Sequence, residues 1–232
     1  MPLGRIVLAR LDFRLIFATN ERVKPLPLPL SPPSVSPTPG AGSAWTLEGL
    51  SGRLVELSGW RQTAHLTTAF GLVLDAQLHG DRAAWVTLES SSFFPPDVAD
   101  GGIDLEALPV IRVRDVGMAG RAADHLVRSG GFGLVVLDLS GIDAASAPRL
   151  PVPLLTRLLG LARAHDVAVL LLTRKSSESP SVNSLVSLRA EAQWARSSVD
   201  GGYDVRVRVL KDKRDGPGWT HVEVCRGPAG VR

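Results

Sequence analysis

The stretch from Gly59 to Thr67 has the layout of a loop that binds phosphate. An apolar strand pattern beginning at Leu54 precedes it, and an apolar pattern with helical spacing follows it. A loop of the form G-x-x-x-x-G-K-[ST] closes backbone N–H groups on phosphates, extends a lysine to the outer phosphates and offers a hydroxyl to Mg²⁺. Counting from Gly59, the last three signature positions are Ala64, His65 and Leu66. The layout is therefore kept, but three of the four signature residues are absent.

These replacements predict that the chain does not hydrolyse ATP and needs no cofactor. The ring of His65 cannot follow the path of an extended lysine, and leucine offers no ligand to Mg²⁺. Triphosphate hydrolysis depends on positioning and charge neutralisation, which the missing lysine and hydroxyl would supply. Thr67 would provide a hydroxyl only if the motif slipped by one residue.

No other catalytic set stands out in the sequence. The five histidines are scattered without the i, i+4 spacing of a helical metal pair, and there is no G-x-S-x-G motif, so we predict no metal site. A single cysteine, Cys225, excludes an internal disulfide framework and favours a reducing compartment. No apolar run approaches the roughly 18 residues of a membrane-spanning helix. We expect a cytoplasmic protein.

Alternating strands and helices must position these residues. Residues 83–89 predict a short buried strand ending at Glu89, and residues 132–138 predict the clearest strand, ending at Asp138. In a nucleoside triphosphatase such an aspartate orients Mg²⁺ or its water shell, whereas the alternative is a carboxylate that only caps the next loop. Helices are predicted at 118–129 and 152–165, and a strand at 167–173. This alternation predicts an α/β fold with a central, mostly parallel sheet.

The carboxyl-terminal region predicts an antiparallel hairpin. Residues 203–210 alternate between apolar and basic side chains, residues 211–218 form a charged turn, and residues 221–225 return. Residues 190–195 fit either a strand or a helix, and residues 103–108 fit a helical turn.

Charge and proline content divide the chain further. Residues 1–45 and 201–232 each carry a net charge of +3, while the middle carries −3. Residues 3–17 fit either a strand or a basic amphipathic helix, and the seven prolines between Pro25 and Pro39 predict an extended linker. The predicted organisation is an arm at 1–24, a linker at 25–42, a domain at 43–228 and a tail at 229–232.

From about residue 45 to 228 the order of elements resembles the RecA family core. Residues 52–59 resemble the strand that enters the P-loop, Glu89 stands where the family carries the glutamate that activates water, and Asp138 stands at its Walker B aspartate. Arg174 replaces a glutamine that senses the γ-phosphate. The resemblance implies a RecA-like core with a degenerate P-loop and a vestigial nucleotide site at Gly59, His65, Thr67, Glu89 and Asp138.

The missing phosphate-binding residues make the chain similar to the SulA/ImuA-like branch of this family. The resemblance does not extend to RecA's amino-terminal polymerisation helix or to its carboxyl-terminal domain. The branch implies accessory work in translesion synthesis during the DNA-damage (SOS) response. The implied partners are an ImuB-like relative of Y-family polymerases, RecA and an error-prone C-family polymerase.

Two binding hypotheses follow from the resemblance. In the first, loops at about 140–153 and 174–184 face DNA; they lack aromatic residues, so binding would be phosphate-driven and salt-dependent, through Arg149, Arg174 and Lys175. In the second, the chain is an adaptor without DNA contact. It would bind RecA or the polymerase-like partner through a basic hairpin whose lysines match the Lys-x-Lys turn of RecA filaments: Arg206, Arg208, Lys211 and Lys213. An active RecA- or RadA-like ATPase is a third, less favoured reading.

Overall fold

The computed structural model describes residues 14–15, 45–60, 63–91, 101–142, 150–196 and 202–226. Its strands are β1 (Arg14–Leu15), β2 (Leu54–Gly59), β3 (Ala83–Leu88), β4 (Val110–Val113), β5 (Leu134–Asp138), β6 (Ala168–Arg174), β7 (Leu188–Arg196), β8 (Gly202–Asp212) and β9 (Thr220–Arg226). Its helices are α1 (Leu47–Leu50), α2 (His65–Leu78), α3 (Val116–Arg128) and α4 (Val152–Ala164).

All nine strands belong to one sheet, in the order β1-β4-β3-β5-β6-β2-β7-β8-β9. The six strands from β4 to β7 in this order are parallel, whereas β1, β8 and β9 pair antiparallel with their neighbours. The predicted α/β fold, with a mostly parallel sheet and a carboxyl-terminal antiparallel hairpin, is therefore confirmed. The topology is compatible with a RecA-like core.

Helices cover both faces of the parallel part of the sheet. Alternate residues of β2 point to opposite faces, so Val55 and Leu57 join the layer that contains α2, and Leu54 joins the layer that contains α3 and α4. The inner strands are apolar on both faces because both faces are covered. Complete burial of each such leucine contributes about 1.5–3 kcal/mol.

Local sequence explains where several elements begin. The Asp115 side chain accepts a hydrogen bond from Met118 N–H at 2.8 Å and caps α3, and Pro151 precedes α4. Residues 190–195, for which the sequence allowed two structures, lie in β7 because Ala190 and Ala192 pack into the core. Residues 103–108 contain a single turn, in which Leu108 N–H donates to the Leu105 carbonyl at 3.3 Å, and they do not continue into a helix.

The predicted amino-terminal arm and proline-rich linker lie outside the described residues, apart from Arg14 and Leu15. These two residues form a short edge strand that pairs with β4, with Leu15 opposite Ile111. Among the described residues no helix is long and apolar enough to cross a membrane.

Candidate functional site

The residues predicted to form a vestigial nucleotide site gather at one edge of the sheet. The carboxyl ends of parallel strands meet there, which is where open α/β sheets usually bind ligands. Gly59 is in register with Arg174, and Thr87 with Asp138. Helix α2 starts at the same edge with His65, which lies close enough to Asp138 and Arg174 for their charges to affect its pKa.

The side chains of Thr63 and His65 pack against Gly59. A Cβ atom placed on Gly59 would lie 1.6 Å from Thr63 Oγ1 and 2.9 Å from His65 Nδ1, so these two side chains rest directly on the glycine. The turn after Gly59 is also tied to β7, because Ala64 N–H donates to the Ala192 carbonyl at 3.2 Å and Thr63 bridges to Gln193. Glycine at position 59 thus permits side-chain packing against the backbone here.

His65 is buried, and its surroundings favour the neutral imidazole. Only 6% of the residue is exposed, and its Nδ1 lies 2.5 Å from Thr63 Oγ1. Burial lowers the pKa of His65, the charge of Asp138 raises it to a smaller extent, and Arg174 lowers it again. The net direction is downward, which favours the neutral imidazole and weakens any role for His65 as a replacement for the lysine that binds phosphate.

The carboxylate of Asp138 is fully hydrogen-bonded within the protein. One oxygen accepts from Ser140 N–H at 3.1 Å and from Ser140 Oγ at 2.5 Å; the other accepts from Thr87 Oγ1 at 3.2 Å and Ser91 Oγ at 2.9 Å. Two bonds to each oxygen fill the acceptor capacity of a carboxylate. A metal ion could bind Asp138 only by displacing these donors.

The remaining two residues of the predicted site are less enclosed. Glu89 follows β3 as an exposed turn residue whose backbone N–H donates to the Val113 carbonyl at 2.9 Å. Thr67 is partly buried in the first turn of α2. Among the described residues no group of three or more His, Cys, Asp or Glu side chains is arranged to hold a metal ion.

Two of the predicted DNA contacts, Arg174 at the end of β6 and Lys175 directly after it, differ sharply in exposure. Arg174 is exposed. Lys175 is only 8% exposed, lies 2.5 Å from Glu56 Oε1 and donates to the Pro180 carbonyl at 2.6 Å. Burial lowers the pKa of Lys175, the Glu56 carboxylate raises it and Arg189 lowers it. Its ammonium group is therefore already engaged, while the third predicted contact, Arg149, lies outside the described residues.

Two buried charges that the sequence did not reveal hold the loop after β6. Glu56, in the middle of β2, also accepts hydrogen bonds from Thr173 Oγ1 at 3.0 Å and Val182 N–H at 2.9 Å. Arg189 of β7 donates to the carbonyls of Ser176, at 2.8 Å, and Ser179. The one signal in the sequence was a glutamate within a predicted buried strand, because a buried carboxylate needs a partner. The sequence did not show which residue that partner is.

The four basic residues predicted to bind a partner have different environments. Arg206 is exposed. Arg208 forms an ion pair with the buried Glu191 at 3.1 Å, and the amino groups of Lys211 and Lys213 lie 3.5 and 2.7 Å from the Ser184 carbonyl. Lys211 lies at the end of β8 and not in the predicted turn, and both lysines contact the loop after β6.

A buried cluster of charged and polar residues anchors the hairpin of β8 and β9 at the edge of the sheet opposite the predicted nucleotide site. Arg53, which is 1% exposed, pairs with Asp212 and donates to Ser187 Oγ at 3.2 Å. Asp212 also accepts from Arg214 N–H at 2.9 Å and Trp219 Nε1 at 3.3 Å. Burial raises the pKa of Asp212, but these donors and the Arg53 charge lower it by more.

Comparison with models of protein families finds no match, and comparison with curated proteins finds no significantly similar one.

Proposed function

We propose that this chain is a non-catalytic RecA-like accessory protein of DNA-damage-induced mutagenesis, which assembles polymerase-related partners for translesion synthesis. The strand order and the resemblance of residues 45–228 support the RecA-like part of the proposal. The observation that carries the non-catalytic part is the packing of Thr63 and His65 directly against Gly59, the glycine at which a phosphate-binding loop would begin.

Two further features support the absence of triphosphate chemistry. The hydroxyl groups of Thr87, Ser91 and Ser140, together with Ser140 N–H, donate two hydrogen bonds to each oxygen of Asp138, so Mg²⁺ or its water shell would have to displace one of these donors. The buried neutral His65 cannot replace a charged lysine at the outer phosphates.

Thermal stability with and without nucleotide tests this part of the proposal. A ligand present at 100 times its Kd would stabilise the protein by about 2.7 kcal/mol. We expect millimolar ATP with Mg²⁺ to leave the melting temperature unchanged. A rise of several degrees, together with ATP turnover that is lost in Glu89→Gln, would overturn the non-catalytic assignment.

The exposed face of β8 supports partner binding. Arg206 is exposed and has no hydrogen bond or ion pair with another described residue, whereas Arg208 is needed to neutralise the buried Glu191. Arg206→Glu therefore reverses the charge of the surface without disturbing the core, and Arg121→Glu, on the exposed side of α3, is a matched control. Point substitutions suit this experiment because truncation after Leu210 would remove Asp212 and leave Arg53 buried without its partner.

We expect the full chain to retain an ImuB-like protein, RecA filaments or the C-family polymerase in pull-down assays with purified components. Arg206→Glu should reduce retention at least fivefold, by analogy with rim charges that govern association rate and salt dependence. Retention that is equally reduced by Arg121→Glu, or unchanged by Arg206→Glu, would remove this surface from the proposal.

The buried state of Lys175 favours the adaptor without DNA contact over direct DNA binding. Of the predicted DNA contacts in the described residues, Arg174 alone is exposed, and one arginine gives weak, strongly salt-dependent phosphate binding. Anisotropy titration with single-stranded and duplex DNA at low salt distinguishes the two functions. Tight binding that Arg174→Glu abolishes would restore the DNA-binding alternative.

A further inference from the structure

The outer edge of β9 is the feature from which the inference starts. β9 is the last strand of the sheet, and no other strand of the described chain pairs with its outer edge. Val222 and Val224, on one face of this strand, are 42% and 48% exposed. An edge strand with unpaired backbone groups and exposed apolar residues can add another strand.

The hydrogen bonding of β8 identifies the backbone groups of β9 that point outward. Val209 N–H donates to the Trp219 carbonyl at 3.0 Å, and the Val209 carbonyl accepts from Gly218 N–H at 3.0 Å. Both backbone groups of Val209 therefore face β9. Because orientation alternates along an antiparallel strand, Val207 and Val205 also face β9 and bond to His221 and Glu223.

It follows that the N–H and C=O groups of Thr220, Val222 and Val224 point away from β8. These three residues present a donor and an acceptor each to whatever lies beyond the sheet edge.

The opposite face of β9 carries His221 and Glu223, two ionisable residues that are partly buried and have no charged partner among the described residues. Neither His221 nor Glu223 has a hydrogen bond or ion pair with another described residue, and the Glu223 carboxylate lies close to Gly71 of α2. Burial lowers the pKa of His221 and raises the pKa of Glu223. Each group would gain from a partner of the other type.

We propose that two copies of this chain pair through β9, antiparallel about a two-fold axis at Val222, with His221 of each copy opposite Glu223 of the other. A two-fold axis perpendicular to the sheet pairs residues that share a face, so the centre decides which side chains meet. A centre at Glu223 would place two carboxylates opposite each other, and a centre at Val224 would place Glu223 opposite Cys225.

The register centred on Val222 also agrees with the backbone. Val222 pairs with Val222, and Thr220 with Val224, through the outward N–H and C=O groups, which gives about six hydrogen bonds across the interface. His221 and Glu223 then occupy non-hydrogen-bonded positions, where facing Cα atoms are only about 4.5 Å apart and side chains interact most closely. The sequence of β9 is thus self-complementary in charge, in apolar contact and in hydrogen bonding.

Charge exchange tests this arrangement. Sedimentation velocity of the full chain from about 1 to 100 μM measures the dimer Kd of the wild type, His221→Glu, Glu223→His and the double variant. His221→Glu places glutamates opposite each other twice, so we expect a Kd at least about tenfold higher; Glu223→His should also weaken the dimer. The double variant restores both pairs and should return the Kd to within about threefold of the wild type.

A backbone variant provides an independent measurement. Val222→Pro removes only an N–H that points away from β8, so the sheet should fold, as judged by circular dichroism and melting temperature, while the dimer is lost. Arg121→Glu controls for a charge reversal elsewhere. A wild-type chain that stays monomeric at 100 μM, a dimer that is unaffected by His221→Glu and Val222→Pro, or a double variant that fails to recover would overturn the proposal.

Discussion

Replacing Gly59 by alanine tests whether Thr63 and His65 pack directly against this glycine. The added Cβ would lie 1.6 Å from Thr63 Oγ1 and 2.5 Å from Thr63 Cβ, an overlap that rotation of the threonine cannot relieve. The turn must shift, which strains the packing by about 1–3 kcal/mol and weakens the Thr63–His65 contact and the bond from Ala64 to Ala192, each worth about 1 kcal/mol. We expect Gly59→Ala to lower the free energy of unfolding by about 2–4 kcal/mol.

Urea denaturation measures this loss, and two further variants identify its cause. Thr63→Gly removes the overlapping atoms, so Gly59→Ala should cost at least about 1 kcal/mol less in that background. Gly160→Ala is a matched control in α4, where nothing lies within 4 Å of the added methyl group, and it should stabilise the helix by about 0.5–1 kcal/mol. A cost below about 0.5 kcal/mol for Gly59→Ala would show that Thr63 does not pack against Gly59 and would refute the reasoning.

Two other substitutions probe buried charge. Asp212→Ala leaves Arg53 buried without its partner and should cost about 3–5 kcal/mol in urea denaturation. Asp212→Asn should cost less, because its single amide oxygen still accepts from Arg53 and Arg214 N–H, although its NH₂ group replaces the acceptor for Trp219 Nε1; equal costs would contradict this. Because the pKa of His65 is lowered in the folded protein, the stability that its neutral form provides is present above about pH 6.5 and is lost as the pH falls further. Melting temperatures between pH 7.5 and 5.5 should therefore depend less on pH in His65→Asn than in the wild type, and identical slopes would rule out His65 as a cause.

Apolar periodicity was sufficient to predict the layers of this fold. Residues 132–138 and 152–165 bury their apolar side chains in patterns that belong to only one kind of element, so β5 and α4 could be identified from their own sequences. Residues 190–195 could not, because alternating alanines and polar residues fit both periods. Pairing with β2 and β8 decided between them.

Charged residues were harder to place, because their partners lie far away in the sequence. Lys175 begins a polar loop and fits a phosphate contact, yet Glu56 from the middle of β2 takes its charge. No spacing rule links these two positions, since β2 and β6 become neighbours only in the folded sheet.

The two proposed surfaces use different groups of the neighbouring strands β8 and β9, and together they favour one kind of partner. Pairing through β9 uses backbone groups in the plane of the sheet, whereas Arg206 stands on a face of β8, opposite Val222 in register. A two-fold axis perpendicular to the sheet keeps faces on the same side, so a dimer presents two copies of Arg206 in the same direction. Two such surfaces gain affinity only from a partner with repeated sites, because the second contact then becomes intramolecular. With both proposals in place, a RecA-type filament of identical subunits would be bound more tightly than a single polymerase-like protein.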